Sequence, residues 1–182
     1  MKRKFKVTMI TGNAVYDLPA PLCREIGRIT VRWAFLERYL KAIAWEFLGL
    51  DAPLGRIAVR DPKPKQLLEM IRDIAAQQQI GINEAALKSL LEKIEGVSSD
   101  RDLITHGIWI STDQGWHVQR TSGTWPKQPL ADEAPIGRRR VYPQGVRMEA
   151  PELRTIWEKL DALLVLAKRL RLSAHWPPKT SP

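Results

Sequence analysis

Residues 26–49 read IGRITVRWAFLERYLKAIAWEFLG and carry the clearest structural signal in the chain. Apolar side chains recur every three or four residues, which is the spacing of one face of an α-helix: Ile26, Ile29, Trp33, Leu36, Leu40, Ile43 and Phe47. The preceding residues 17–21, DLPAP, place an aspartate and prolines where a helix begins, and Gly49 supplies a stop. We expect a helix about 40 Å long, which is typical of the spine of a bundle or of a dimer contact.

Three further helices are predicted downstream. Residues 51–64, with three prolines and a glycine, are predicted to be a loop that leads to a second helix at about 65–78. The third helix begins after Asn83 and runs to His106, where Gly107 suits the left-handed position that ends a helix. The last helix opens at residues 150–153, APEL, with proline in its first turn. The apolar stripes are Leu67, Leu68, Ile71, Ile74 and Ala75; Leu87, Leu90, Leu91, Ile94 and Val97; and Leu153, Ile156, Leu160, Leu163, Ala167 and Leu170.

A short β segment is predicted between the third and last helices. Residues 108–112 and 116–120 have strand character and flank the turn residues 113–115, which indicates a hairpin. Residues 121–137 are predicted to be a loop, and 141–148 a possible third strand. The fold class is therefore mainly α: an up-and-down helical bundle with a β insertion at about 108–148, forming one domain over residues 1–172, with a disordered tail at 173–182.

The composition favours an anionic partner. The chain has 182 residues, and 29 Lys and Arg against 20 Asp and Glu give a net charge of +9. A positive surface of this size attracts polyanions, so RNA or DNA is the favoured class of partner, while plain solubility is the alternative. Arg138, Arg139 and Arg140 are equally consistent with an RNA-backbone contact and with a solvated loop.

Several classes of protein are excluded. One cysteine, Cys23, permits no internal disulfide, and we expect it to be a small buried side chain rather than a nucleophile. His117 and His175 have no metal-ligand spacing, no glycine-rich phosphate loop is present, and we expect neither a metal nor a cofactor. No apolar run approaches the roughly 18 residues of a membrane span, and the apolar run after the basic N-terminus is too short for a signal peptide, so we expect a cytoplasmic protein without a membrane partner.

The end of the third helix places unusual residues together. Extending its stripe in steps of three and four puts Arg101 at a core-facing position, where it needs a carboxylate, a cleft or an interface that admits an anion. Asp102 and His106 are four residues apart and share a helix face. Arg101 and His106 lie about 140° apart on an ideal helix, so we expect one helix to present both to a single phosphate only awkwardly. Two helices that meet across a two-fold axis could contribute both residues to one site. The alternative is a structural ion pair with a histidine favoured by the helix dipole.

Residues 101–107, RDLITHG, resemble the R-x4-H signature of the HEPN superfamily of helical ribonucleases and nucleotide-binding proteins. Residues 33–40, WAFLERYL, are similar to the first helix of many members. The resemblance covers the first, third and final helices and implies a HEPN-like bundle. It also implies a homodimer whose third helices face each other to form a basic cleft.

The resemblance implies metal-independent endoribonuclease activity of the kind used in toxin and antiviral defence systems. His106 would act as general base or acid at the ribose 2′-hydroxyl, since imidazole exchanges protons near neutral pH. Arg101 would bind the scissile phosphate, and Asp102 would orient the histidine or the arginine. RNA, a second copy of the chain and a cognate antitoxin or regulatory protein are the expected partners.

Two other functions stay open. A catalytically inactive HEPN-like domain would bind RNA, a nucleotide or a partner protein as an adaptor. In a basic helical scaffold, Arg101 and His106 would be purely structural.

Overall fold

The chain forms a helical bundle with a small antiparallel sheet at one end. A computed structural model describes residues 13–14, 17–119 and 146–176. The elements, in chain order, are β1 (Asn13–Ala14), α1 (Ala20–Phe47), α2 (Ala52–Ala58), α3 (Pro64–Gln77), α4 (Glu84–His106), β2 (Ile108–Thr112), β3 (Gly115–Gln119), β4 (Val146–Arg147) and α5 (Ala150–Leu172). The prediction of a mainly helical fold with a small β segment is confirmed.

Helix α1 is the spine of the bundle. Its predicted stripe is buried from Ile29 to Phe47, while Ile26 is partly buried against the same core. The helix ends as expected, because Gly49 takes the left-handed φ of 67° and the Leu50 amide donates to the Trp45 carbonyl at 2.9 Å.

Long-range pairs give the directions of the helices. The Glu25 carboxylate accepts from Trp157 and the Glu46 carboxylate accepts from Arg171, so α1 and α5 run parallel. The Asn83 backbone amide at the start of α4 donates to Ser173 Oγ at the end of α5 at 3.2 Å, so α4 runs antiparallel to both. Helices α3 and α4 form an antiparallel pair, with α3 starting beside the second half of α4.

A short helix, α2, occupies part of the predicted loop, so the prediction of a loop over residues 51–64 is wrong at Ala52–Ala58. Asp51 caps α2 by accepting a hydrogen bond from the Leu54 amide at 2.9 Å, and Pro53 lies in the first turn, where its missing N–H costs nothing. Because α2 turns the chain back, α1, α3 and α5 share one direction. The predicted up-and-down order, in which α1 and α5 would run antiparallel, is therefore wrong.

The predicted stripes of the other helices form the core. Every predicted stripe residue of α5 is buried. The stripes of α3 and α4 are also buried, apart from Ile74 and Leu91, which are partly buried against the core. The bundle therefore has one continuous apolar interior on which the end of α4 rests.

The sheet follows α4 directly. Its strand order is β1-β2-β3-β4, with every neighbouring pair antiparallel. Thr112 pairs with Gly115, so the predicted hairpin is confirmed with a two-residue loop, and Gly115 has a φ of 108°. Of the predicted third strand at 141–148, Val146–Arg147 is strand, whereas residues 120–145, including the predicted loop, lie outside the described residues.

The C-terminal segment differs from the prediction at residues 173–176, which are placed against the bundle. The backbone of His175 exchanges hydrogen bonds with Gly81, and Trp176 makes an edge-to-face contact with Phe47, with ring centroids 5.9 Å apart. Residues 177–182 lie outside the described part of the chain. In the described ranges, no helix has the length and apolar character needed to span a bilayer.

Candidate functional site

The candidate site lies where α4 meets the sheet. Helix α4 ends at His106, and the Gly107 amide donates to the Leu103 carbonyl at 2.8 Å. Gly107 has φ −76° and ψ 157°, so the prediction of a left-handed residue there is wrong. The position instead requires glycine because a Cβ would overlap the Leu103 carbonyl oxygen and lie 2.5 Å from Val118 Cγ2. The close packing of the end of α4 on β3 thus fixes the backbone position of His106.

A second contact holds the same helix end. The Trp109 indole N–H donates to the Ile104 carbonyl at 3.2 Å, which satisfies one of the carbonyls that the last turn of a helix leaves without an intrahelical partner. Trp109 is itself buried in the core. The backbone beneath His106 is therefore anchored by β2.

Arg101 lies one and a half turns before His106 and is largely covered. Its side chain is 24% exposed, and Cζ is 5.6 Å from the centroid of the Trp33 ring on α1. The Nε–H is buried and has no acceptor among the described residues. A buried guanidinium N–H without an acceptor is costly, so Arg101 is held in this position at a cost in stability.

One end of the Arg101 guanidinium is shared between two neighbours. Nη1 donates to Asp102 Oδ1 at 2.9 Å and lies 3.5 Å from His106 Nε2. The two side chains therefore meet on one helix, although their positions are about 140° apart. The 140° separation describes the directions of the Cα–Cβ bonds, and the long arginine side chain reaches round the helix to the imidazole.

The contact with Arg101 involves Nε2 of His106. A guanidinium can only donate, so Nε2 is the acceptor where this contact is a hydrogen bond. The 3.5 Å separation is at the long limit of hydrogen bonding. His106 is exposed, so an incoming hydroxyl can approach the imidazole from solvent and replace Arg101 as the partner of Nε2.

A groove opens beside Asp102, between the start of α3 and the second half of α4. It has a volume of about 450 Å³, and Lys63, Ser98 and Asp102 are among its lining residues. Lys65 also lines it and pairs with Glu95 at 2.6 Å, a hydrogen bond that raises the pKa of the Lys65 ammonium. Its volume lies in the range of roughly 300–1,000 Å³ that is usual for small-molecule sites.

The other residues considered in the sequence are the arginine run at 138–140, His117 and Cys23. Arg138, Arg139 and Arg140 lie outside the described residues. His117 is buried in β3, with Nδ1 3.3 Å from the Gly115 carbonyl oxygen. Cys23 is exposed, so the prediction that it is buried is wrong. Among the described side chains, no group of three or more His, Cys, Asp or Glu is placed to hold a metal ion.

Sequence reasoning missed the role of Trp33 beneath Arg101. Its position in the apolar stripe indicated only a core residue, although the Trp33 indole N–H also donates to Glu37 at 2.7 Å. The sequence spacing does indicate the pair of Trp33 with Glu37, because the two residues are four positions apart on α1. The stacking of Arg101 on Trp33 depends on how two helices pack.

A second polar cluster between α1 and α5 was also missed. Glu25 is buried and accepts from Trp157 Nε1 at 2.7 Å and from Arg28 at 3.0 Å. Burial alone would raise the pKa of Glu25, but the hydrogen bond from Trp157 and the charge of Arg28 outweigh it and lower that pKa from its usual 4.5. The Arg32 guanidinium stacks 4.5 Å from the centroid of the Trp157 ring and pairs with Asp161. This cluster joins two helices and has no nucleophile, so its geometry indicates a structural role.

No protein-family model matches the chain, and no curated protein or solved structure matches it.

Proposed function

We propose that the chain is a metal-independent endoribonuclease of HEPN type, acting in a toxin or antiviral defence system. In this proposal two copies form a homodimer, and the ends of their α4 helices line a basic cleft that takes RNA. The protein would act in the cytoplasm. Arg101 and His106 are the residues that carry the chemistry, and Asp102 supports them.

The observation that carries the proposal is the 3.5 Å approach of Arg101 Nη1 to His106 Nε2 on one exposed helix end. A phosphate oxygen placed beside Arg101 would have the imidazole within reach of the adjacent ribose. RNA cleavage without a metal needs these two groups together, a base for the 2′-hydroxyl and a fixed cation for the charge that grows on phosphorus.

The reaction balances with these residues. His106 Nε2 takes the proton of the 2′-hydroxyl as the 2′-oxygen attacks the neighbouring phosphorus. A new O–P bond forms, the bond from phosphorus to the 5′-oxygen breaks, and the products are a 2′,3′-cyclic phosphate and a 5′-hydroxyl. In the homodimer, the imidazole of the second copy, protonated on both nitrogens at the start, would give up one proton to the 5′-oxygen.

Asp102 and the groove support this geometry. The hydrogen bond from Arg101 to Asp102 favours the second of the roles considered for Asp102, orienting the arginine. With one end of the guanidinium held by Asp102 and its face on Trp33, the side chain is fixed before substrate arrives, which lowers the cost of organising the site. The groove beside Asp102 has room for a nucleotide.

One observation favours the adaptor alternative. The Asp102 carboxylate is 55% exposed and directly beside the proposed phosphate position, so it opposes an incoming anion. A domain with this arrangement would bind RNA, a nucleotide or a protein through other residues without cleaving RNA. The two functions differ in whether a product forms.

The deciding experiment compares wild type with His106→Ala on a mixed RNA substrate in EDTA, with analysis of the product ends. Wild type should leave cyclic phosphate ends, and His106→Ala should leave none above background. His175→Ala is the matched control, because His175 is also exposed but lies beside Gly81, at the opposite end of α4.

Arg101→Lys refines the result. Lysine keeps the charge but loses the planar fork, so cleavage should fall strongly while the melting temperature stays near that of wild type. RNA binding by the wild type without any product would support the adaptor. A melting temperature that falls in both the Arg101 and the His106 variant, with no RNA bound by wild type, would indicate the structural scaffold.

A further inference from the structure

One side of α1 combines exposed apolar residues with arginines. Arg24, Arg28, Val31, Phe35 and Arg38 follow one another in steps of four, three, four and three residues. With about 3.6 residues per turn, these side chains lie within about 40° of one line, and that line is about 21 Å long. We call this set the α1 strip.

The strip leaves large apolar side chains in water. Val31 is 55% exposed and Phe35 is 61% exposed, whereas Trp33 and Leu40, on the opposite side of the same helix, are buried. Adjacent exposed apolar side chains rimmed by charge mark interaction surfaces more often than isolated ones do. A partner that covered Val31 and Phe35 would gain the free energy of removing them from water.

The charges of the strip have one sign. Arg24, Arg28 and Arg38 are exposed and flank the apolar centre, and the strip contains no acidic residue. Arg28 pairs with the buried Glu25. Within residues 17–119 and 146–176, no acidic side chain pairs with Arg24 or Arg38, so both ends of the strip carry uncompensated positive charge.

This charge pattern disfavours a second copy of the chain as the occupant. If two strips packed side by side, Arg24 would face Arg24 in the parallel arrangement and Arg38 in the antiparallel one. Like charges brought together in an interface cost free energy in either case.

We propose that the α1 strip binds an acidic amphipathic helix of a partner protein. Apolar side chains four residues apart on that helix would cover Val31 and Phe35, and carboxylates toward its two ends would pair with Arg24 and Arg38. This is the usual arrangement in which a helix docks through apolar anchors spaced by one turn. The charged ends set the partner's register and orientation.

The spacing of the cations favours a protein over RNA at this surface. Between Arg28 and Arg38 the strip runs for about 15 Å without a cation, whereas an RNA backbone presents a phosphate at every nucleotide. Arg32, the other cation near this stretch, is held toward α5 by Asp161 at 2.8 Å. The apolar centre of the strip therefore matches an apolar surface better than a phosphate chain.

The surface is separate from the candidate active site. Trp33, on which the Arg101 guanidinium stacks, lies on the opposite side of α1, about 180° from the middle of the strip. An occupant of the strip would leave the end of α4 accessible. The proposal therefore stands or falls independently of the ribonuclease function.

The test uses a fluorescent synthetic peptide of about 20 residues, helical by design, with leucines four residues apart at its centre and glutamates at both ends. Wild type should bind it saturably, and amide NMR shifts should change along residues 24–38. Phe35→Ser and Arg38→Glu should each weaken binding about tenfold. Raising the salt from about 0.1 M to about 1 M should weaken it further, because the screening length falls.

Matched controls replace exposed residues elsewhere. Ile57→Ser removes an apolar side chain that is 75% exposed on α2, and Lys88→Glu reverses an exposed charge on α4. Both should bind the peptide like wild type, and all four variants should keep the wild-type circular dichroism.

Three results would overturn the proposal. The first is no saturable peptide binding, or equal losses in the control variants. The second is displacement of the peptide by single-stranded oligouridine that itself depends on Arg38, which would make the strip a nucleic-acid surface. The third is a wild-type dimer that Phe35→Ser dissociates, which would make it a self-association surface.

Discussion

The guanidinium of Arg101 lies over the indole ring of Trp33, with Cζ 5.6 Å from the ring centroid, although the two residues are far apart in sequence. The indole is fixed in turn by its hydrogen bond to Glu37 at 2.7 Å. This stacking places the arginine on a rigid surface of α1 and turns Nη1 toward His106. Trp33 is therefore a positioning residue, acting through Arg101.

We expect Trp33→Phe to slow RNA cleavage about three- to tenfold, because phenylalanine fills most of the space but attracts a cation less strongly. The measurement is kcat/KM on a defined RNA, with the melting temperature as a check on folding. In an Arg101→Ala background the same substitution should change the remaining rate no further. An equal loss in both backgrounds would show that Trp33 acts through general packing and not through Arg101.

We expect Gly107→Ala to destabilise the fold by about 1–3 kcal/mol, because overpacking strains a close contact. The added Cβ would lie 2.8 Å from the Gln119 carbonyl oxygen as well as against Val118. Urea unfolding measures the change.

Gly96→Ala is the matched control on the same helix. A Cβ at Gly96 meets nothing within 4 Å. Alanine is the better helix former by about 1 kcal/mol, so this variant should be more stable than wild type. Equal effects of the two substitutions would contradict the packing of α4 on β3.

The long helices could be predicted because their signals are local. The α1 stripe repeats without a break, and Gly49 and Asn83 supply end and start signals that depend only on nearby residues. Helix α2 was missed because it spans only Ala52–Ala58, too short to show a period, and because its proline was taken as a sign of a loop. Proline in the first turn of a helix and proline in a loop look alike in sequence.

The residues of the candidate site could be identified from the sequence, but the contacts between their side chains could not. Arg101 stood out as a cation within an apolar stripe, and His106 stood at the helix end. Their contact depends on side-chain reach, and the support from Trp33 depends on how α1 packs against α4. Gly107 shows the same limit, since its need for glycine comes from β3 and not from its own φ.

We expect Trp176→Ala to lower the free energy of unfolding by about 1 kcal/mol, the usual worth of an edge-to-face aromatic pair. Trp176 packs on Phe47 at the end of α1, with an interplanar angle of 84°. Leu172→Ala is the control, because Leu172 is 82% exposed and should contribute little. A loss in the Leu172 variant but not in the Trp176 variant would contradict the placement of residues 173–176 against the bundle.

We expect the stability of the fold to fall in acid partly through Glu25. Its pKa in the folded protein is lowered because the hydrogen bond from Trp157 and the charge of Arg28 outweigh the effect of burial. The unfolded chain therefore binds a proton at Glu25 more readily than the folded chain does. This contribution is fully present above the usual pKa of 4.5 and is lost as the pH falls through the lowered folded value.

Glu25→Gln isolates that contribution, because glutamine keeps the shape but cannot lose a proton. The variant should be less stable than wild type at neutral pH, and the difference should shrink as the pH falls below about 4.5. Urea unfolding from neutral pH into acid measures it, with Glu92→Gln at an exposed position on α4 controlling for the loss of one charge. No difference at any pH, or a difference that stayed constant over this range, would contradict a contribution from the charge of Glu25.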